Sequence, residues 1–153
     1  MRRVLLAVLC CGGVLLLGCS VFVGRVILVP ERTSDATERR AFDEPSISIA
    51  VEIANRVAKR KGLSHDPGPY PRFGGDEYDT ITIFQKRGRI WLSLLVKDDG
   101  LEIIYVITDQ GRGEETETTS SLRRDLIGEV KALLPHAEVK YEQKSERGSL
   151  MGP

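Results

Sequence analysis

Residues 78–108 read YDTITIFQKRGRIWLSLLVKDDGLEIIYVIT, and the fold class follows from them. Three runs rich in β-branched and aromatic residues are separated by two short polar breaks, Arg87-Gly88 and Asp98-Asp99-Gly100. Over residues 78–86 the alternation sets Ile81 and Ile83 against Thr80, Thr82 and Phe84. Over 90–97 it sets Ile90, Leu92, Leu94 and Val96 against Trp91, Ser93 and Leu95. Over 101–108 it sets Leu101, Ile103, Tyr105 and Ile107 against Ile104 and Val106. A period of two marks a strand, because successive side chains point to opposite faces. Asp-Gly accepts the positive φ of a tight hairpin. A three-stranded antiparallel meander is predicted, with residues 92–96 apolar enough to lie inside the sheet.

On either side the period changes to that of a helix. Residues 46–61 carry Ile49, Ile53 and Val57 at every fourth position with Ala50, Ala54 and Ala58 beside them, which makes one apolar stripe. Ser46 or Ser48 supplies a cap. Lys59, Arg60 and Lys61 complement the negative end of the helix dipole, or meet anionic lipid, and Gly62 takes the stop. Residues 121–134 repeat Leu122, Leu126, Val130 and Leu133, with Ile127 and Leu134 alongside. Thr119, Ser120 or Ser121 precedes them and Pro135 follows. Residues 138–142 alternate around Val139 and Tyr141 as a last strand, and 144–153 read as a frayed tail. The order αβββαβ, with two one-faced helices to bury, predicts an α+β two-layer sandwich over residues 46–143. Its antiparallel sheet has about four strands and both helices lie on one face.

Before this unit the chain changes character. Residues 21–30 are Val-rich, and read as an edge strand or as the continuation of a membrane span. Residues 31–45 are charged and aperiodic and read as a solvated linker, so 19–45 divides into an anchored N-terminus and that linker. Arg2 and Arg3 precede an uncharged run from Val4 to Leu17, the pattern of a secretory signal. Leu16-Leu17-Gly18-Cys19 resembles the lipobox of bacterial lipoproteins. The resemblance implies a signal peptide over residues 1–18, cleavage between Gly18 and Cys19, a diacylglyceryl group on the Cys19 thiol and acylation of the new amine. One acyl chain holds a protein only marginally, and two or three hold it durably. A thiolate is the nucleophile such chemistry needs. Two alternatives stay open: an uncleaved span, since Val4 to Gly24 is uncharged, and an ordinary cleaved signal. All three place the folded part outside the cytoplasmic membrane, because Arg2 and Arg3 remain inside. By analogy with lipoprotein sorting in bacteria with two membranes, Ser20 after the lipid site implies the outer membrane.

Composition narrows the function classes. Without Arg2 and Arg3 the chain has 20 basic against 22 acidic residues. A nucleic-acid binder needs a strong basic surplus. All three cysteines, Cys10, Cys11 and Cys19, lie in the first nineteen residues, so the domain has no disulfide, thiol nucleophile or zinc ribbon.

Residues that could carry chemistry are few. His65 stands beside Asp66 in a Pro- and Gly-rich loop and could serve as an oriented base. No serine lies in a nucleophile elbow. His136 follows Pro135 at a helix end. Asp76, Glu77 and Asp79 are oxygen donors without calcium-loop spacing. Gly111-Arg112-Gly113 precedes a helix, but Glu114, Glu115 and Glu117 oppose a bound anion. The loop over 64–77 offers Tyr70, Phe73, Asp76, Glu77 and Asp79 as a candidate binding surface, although its aromatic rings could equally fold onto the core. No cofactor or metal is expected. The predicted function is that of a non-enzymatic envelope lipoprotein, tethered to the membrane by lipid on Cys19, with an envelope protein or cell-wall component as partner. Alternatives are an anchored hydrolase using His65 and Asp66, and a single-span subunit of an envelope complex.

Overall fold

The computed structural model describes residues 20–31, 40–70 and 77–147. The elements run β1 (Ser20–Pro30), α1 (Glu44–Arg60), β2 (Ser64–His65), β3 (Tyr78–Lys86), β4 (Arg89–Lys97), β5 (Ile103–Gln110), α2 (Glu117–Leu133) and β6 (Ala137–Arg147). One sheet of six strands has the order β2-β3-β4-β5-β1-β6, with every neighbouring pair antiparallel.

The α+β class and the meander agree with the sequence reading, while the strand count and order do not. The 21–30 run is neither an edge strand nor part of a span: β1 lies inside the sheet, paired with β5 on one side and β6 on the other. The sheet therefore includes residues ahead of the 46–143 unit, and α1 begins at Glu44 rather than Ser46. The last strand extends to Arg147, into the predicted tail, where Ser20 to Gly24 pair with Gln143 to Arg147. Phe22, Val26 and Leu28 of β1 are buried. Gly24, on the same face, lies where a Cβ would come 2.9 Å from the Tyr141 hydroxyl oxygen.

Both helices pack on one face. A single cluster joins Val26, Leu28, Leu92, Leu94, Ile103, Tyr105 and Ile107 of the sheet to Ala50, Ile53, Ala54 and Val57 of α1 and Leu122, Leu126 and Val130 of α2. The buried Tyr105 hydroxyl donates to the Ala50 carbonyl at 2.9 Å, fixing α1 on β5. That burial pushes its pKa up. Asp43 caps α1 by accepting from the Ser46 amide at 2.9 Å, and the Ser46 hydroxyl first and this amide second hold the carboxyl below its usual range. Thr116 and Thr119 form a reciprocal cap on α2.

Two bulges break the predicted alternation. Thr80 pairs with Leu95 and Thr82 with Leu94, so Ile81 is an extra residue and is partly exposed. Phe84 pairs with Leu92 and Gln85 with Ile90, so Trp91 is extra in β4. The second bulge brings Trp91 against the cluster that holds Leu92, although strict alternation sets the two on opposite faces. Among the described residues no helix is long and apolar enough to cross a membrane.

Candidate functional site

The predicted loop divides into two separate places. Residues 64–70 form a tight structure on the sheet edge. Asp66 donates its amide to the Ile83 carbonyl at 2.9 Å, and its carboxylate accepts from the Gly68 amide at 3.0 Å. Gly68 takes φ +76 beneath the Tyr70 ring. The Tyr70 hydroxyl donates to the Asp66 carbonyl and lies 3.0 Å from His65 Nε2. The imidazole stands edge-on to Phe84, with ring centres 5.6 Å apart. Asp66 is thus turned into its own loop rather than toward His65, and among the described residues no nucleophile joins them. Phe73 and Asp76 lie outside the described residues, as do Gly18 and Cys19. Tyr70 is half-buried.

Glu77 and Asp79 lie elsewhere, at the end of the sheet built around Gly100. The Glu77 carbonyl accepts from the Asp98 amide at 2.9 Å. Tyr78 donates to Glu102 Oε2 at 2.8 Å, and burial together with that carboxylate pushes its pKa up to about 12. Asp99 accepts from the Leu101 amide at 2.9 Å and lies 3.5 Å from Lys97 Nζ. Phe42 donates to the Gly100 carbonyl, which brings Asp43 and Glu44 to the same end. Among the described residues no group of His, Cys, Asp or Glu side chains could hold a metal ion. A cleft of about 750 Å³ also opens here, lined by Pro30, Phe42, Ile49 and Leu134. His136 Nδ1 stands 3.7 Å from Glu31 Oε2 on its rim.

The opposite end, where β1 begins, has the other sign. Antiparallel pairing gathers there the start of β1, the end of β5 and the β3–β4 turn. The Gly111 amide donates to the Ser20 carbonyl at 3.0 Å. Arg89 donates to the Gln110 carbonyl at 3.2 Å. Lys86, Arg87, Arg89 and Arg112 are exposed on this end, and among the described residues none pairs with a carboxylate. Arg87 and Gly88 take φ +54 and +73, a two-residue turn that projects the arginine at its tip. Behind them a cleft of about 590 Å³ is lined by Lys61, Lys86, Arg87 and Arg89 over Leu63, Trp91 and Leu122.

The helix ends here are already balanced. Arg60 lies 2.6 Å from Glu129, and Lys61 lies 2.8 Å from Asp125. Arg124 lies 2.7 Å from Glu117, and Arg123 reaches Glu115 at 3.3 Å and covers the Tyr141 ring. The Lys59-Arg60-Lys61 trio that the sequence offered to lipid is therefore engaged with α2 through two of its members. The four arginines and lysines of the turns escaped the sequence reading. Their signal was present in two glycine turns that carry arginine, Arg87-Gly88 and Gly111-Arg112-Gly113, but only the strand directions place both turns at one end.

In comparison with known proteins, the chain matches no family model, no curated protein and no solved structure.

Proposed function

We propose that the chain is an extracytoplasmic lipoprotein, a non-enzymatic binding or structural module held at the bacterial envelope by lipid on Cys19. The observation that carries this reading is the position of β1. The uncharged stretch of the sequence runs to Gly24, but Ser20 to Gly24 belong to a sheet strand. That leaves residues 4–19 for a span, fewer than the roughly 20 that cross a bilayer core. A cleaved signal ending at Gly18 fits this division, and Cys19 then directly precedes the sheet.

The chemistry of the described residues favours binding over turnover. His65 bonds to Tyr70, Asp66 caps its own turn, and Glu77 and Asp79 lie at a different place on the sheet. An envelope protein or cell-wall component fits as partner at the sheet edge, where Tyr70 and His65 stand, with the outer membrane as site in an organism with two membranes.

Mass spectrometry of the protein isolated from membranes tests the anchor. The expected result is an N-terminal peptide starting at a lipid-modified Cys19, lost in Cys19→Ser, which accumulates unprocessed. An intact start at Met1 or Arg2 in the unsubstituted protein overturns the reading.

A further inference from the structure

We propose that the Ser20 end of the sheet is a docking surface for an anionic bilayer. Lys86, Arg87, Arg89 and Arg112 would sit among the headgroup phosphates, with the Gly100 end turned outward. This inference rests on lipid attachment at Cys19, and four observations carry it beyond attachment.

The first is reach. An extended residue spans at most about 3.5 Å. With Cys19 immediately before β1, the end of the sheet has no tether with which to stand off from the bilayer. Screening in physiological salt acts over about 8 Å, so cations at this end remain within the field of an anionic surface.

The second is charge. Among the described side chains, acidic groups of the same end are engaged: Glu115 with Arg123, Glu117 with Arg124, Asp109 with the Thr116 hydroxyl. Glu114 alone among residues 114–117 is a carboxylate without such a contact among the described residues, against the four turn cations. The acids concentrate instead at the far end, around Glu77, Asp98, Asp99 and Glu102. An anionic surface would attract the one end and repel the other, which orients the domain.

The third is the backbone of Arg87. A positive φ suits Gly or Asn, and a β-carbon meets steric resistance there. Neither packing nor turn geometry asks for arginine at this tip, whereas a cation held out from the sheet end suits contact with phosphate.

The fourth is the cleft behind the cations. Its basic rim over Leu63, Trp91 and Leu122 matches an amphiphile, a phosphate at the rim and apolar atoms below. A soluble anion would have no use for the apolar floor.

Trp91 is the single tryptophan of the chain and lines this cleft, so its fluorescence reports the contact. The lipidated protein, isolated from membranes and beginning at Cys19, is reconstituted into vesicles of phosphatidylcholine alone, or mixed with phosphatidylglycerol, each carrying a quencher at headgroup depth. Each cation near an anionic surface shifts the docked-to-undocked ratio about fivefold. Strong Trp91 quenching is therefore expected in the phosphatidylglycerol vesicles. It should weaken at high salt, and should fall to the phosphatidylcholine level in a Lys86→Gln, Arg87→Gln, Arg89→Gln variant. Circular dichroism confirms that the variant is folded, and Arg87→Gly with Arg112→Gln provides a second, milder test of the same loss. Flotation with the vesicles but equal quenching in both compositions overturns docking and leaves the anchor standing. Failure to float with either overturns the anchor and the docking together.

Discussion

The two ends of the sheet are made of the same material, short turns between antiparallel strands, yet their charges have different origins. At the Gly100 end the acids hold the fold. Asp99 accepts from the Leu101 amide, Glu102 from Tyr78, and Asp43 caps α1. Short acidic side chains are what such turns and caps favour, so local structure accounts for the sign of that end. At the Ser20 end it does not. Arg87 occupies a backbone conformation that disfavours it, and Arg112 lies between two glycines with no carboxylate partner among the described residues. Charge that the fold does not require asks for an external explanation, and the lipid proposed on neighbouring Cys19 offers one.

The largest expected effect comes from making the ends alike. In Glu31→Lys, Glu77→Lys, Asp98→Lys, all three positions exposed, the outward end becomes cationic. The anchored protein should then bridge anionic vesicles, with a gain at least on the order of a hundredfold over the unsubstituted protein from the three added cations alone. Turbidity of phosphatidylglycerol vesicles measures it. Equal clustering by both proteins would mean that the sign of the end does not govern contact.

A smaller effect is expected from relaxing the strained turn. Arg87→Gly should stabilise the domain by about 1 kcal/mol, because glycine removes the β-carbon penalty at positive φ, partly offset by the freedom it adds to the unfolded chain. The midpoint of thermal unfolding should rise by a few degrees while Trp91 quenching on anionic vesicles falls. An unchanged or lowered midpoint would show that arginine is accommodated there for reasons of stability, and the contrast between the ends would narrow.

The smallest effect at neutral pH belongs to Tyr78, at the acidic end. Its folded pKa is about 12, above the ordinary tyrosine value of 10.0, through burial first and Glu102 second. A raised pKa means that the folded state holds the proton more tightly. The stabilisation is complete below about pH 10 and is lost as pH rises toward 12. Tyr78→Phe should therefore flatten part of the alkaline fall in stability and remove one late-titrating tyrosinate from an absorbance titration, leaving that of buried Tyr105. Retention of both features would move the assignment to another tyrosine.

Much of the architecture was legible before any coordinates. The spacing of Ile53 and Val57, and of Leu122, Leu126 and Val130, defines helices with one buried face. The alternation from Ile103 to Ile107 defines a strand. The tail resisted because β6 is an edge strand held beyond Tyr141 by backbone pairing to β1, and backbone pairing leaves no apolar pattern to read. Trp91 was misplaced because a bulge shifts alternation by one residue, and nothing local marks it. The candidate loop was legible only as a list of residues, since Tyr70 belongs to the sheet edge and Glu77 to the sheet end.

The sequence by itself determined the helices, the meander and the absence of cysteine after residue 19, and it carries a stretch that resembles a lipobox, because each is a matter of residue type or of spacing within one element. Only the tertiary structure decided that the run after Cys19 is an inner strand and that arginines from two distant turns share the end where it begins. Strand partners are chosen across the chain, through backbone carbonyls that every residue carries and amides that all but proline carry. No local pattern encodes that choice, and the polarity of the molecule exists only once it has been made.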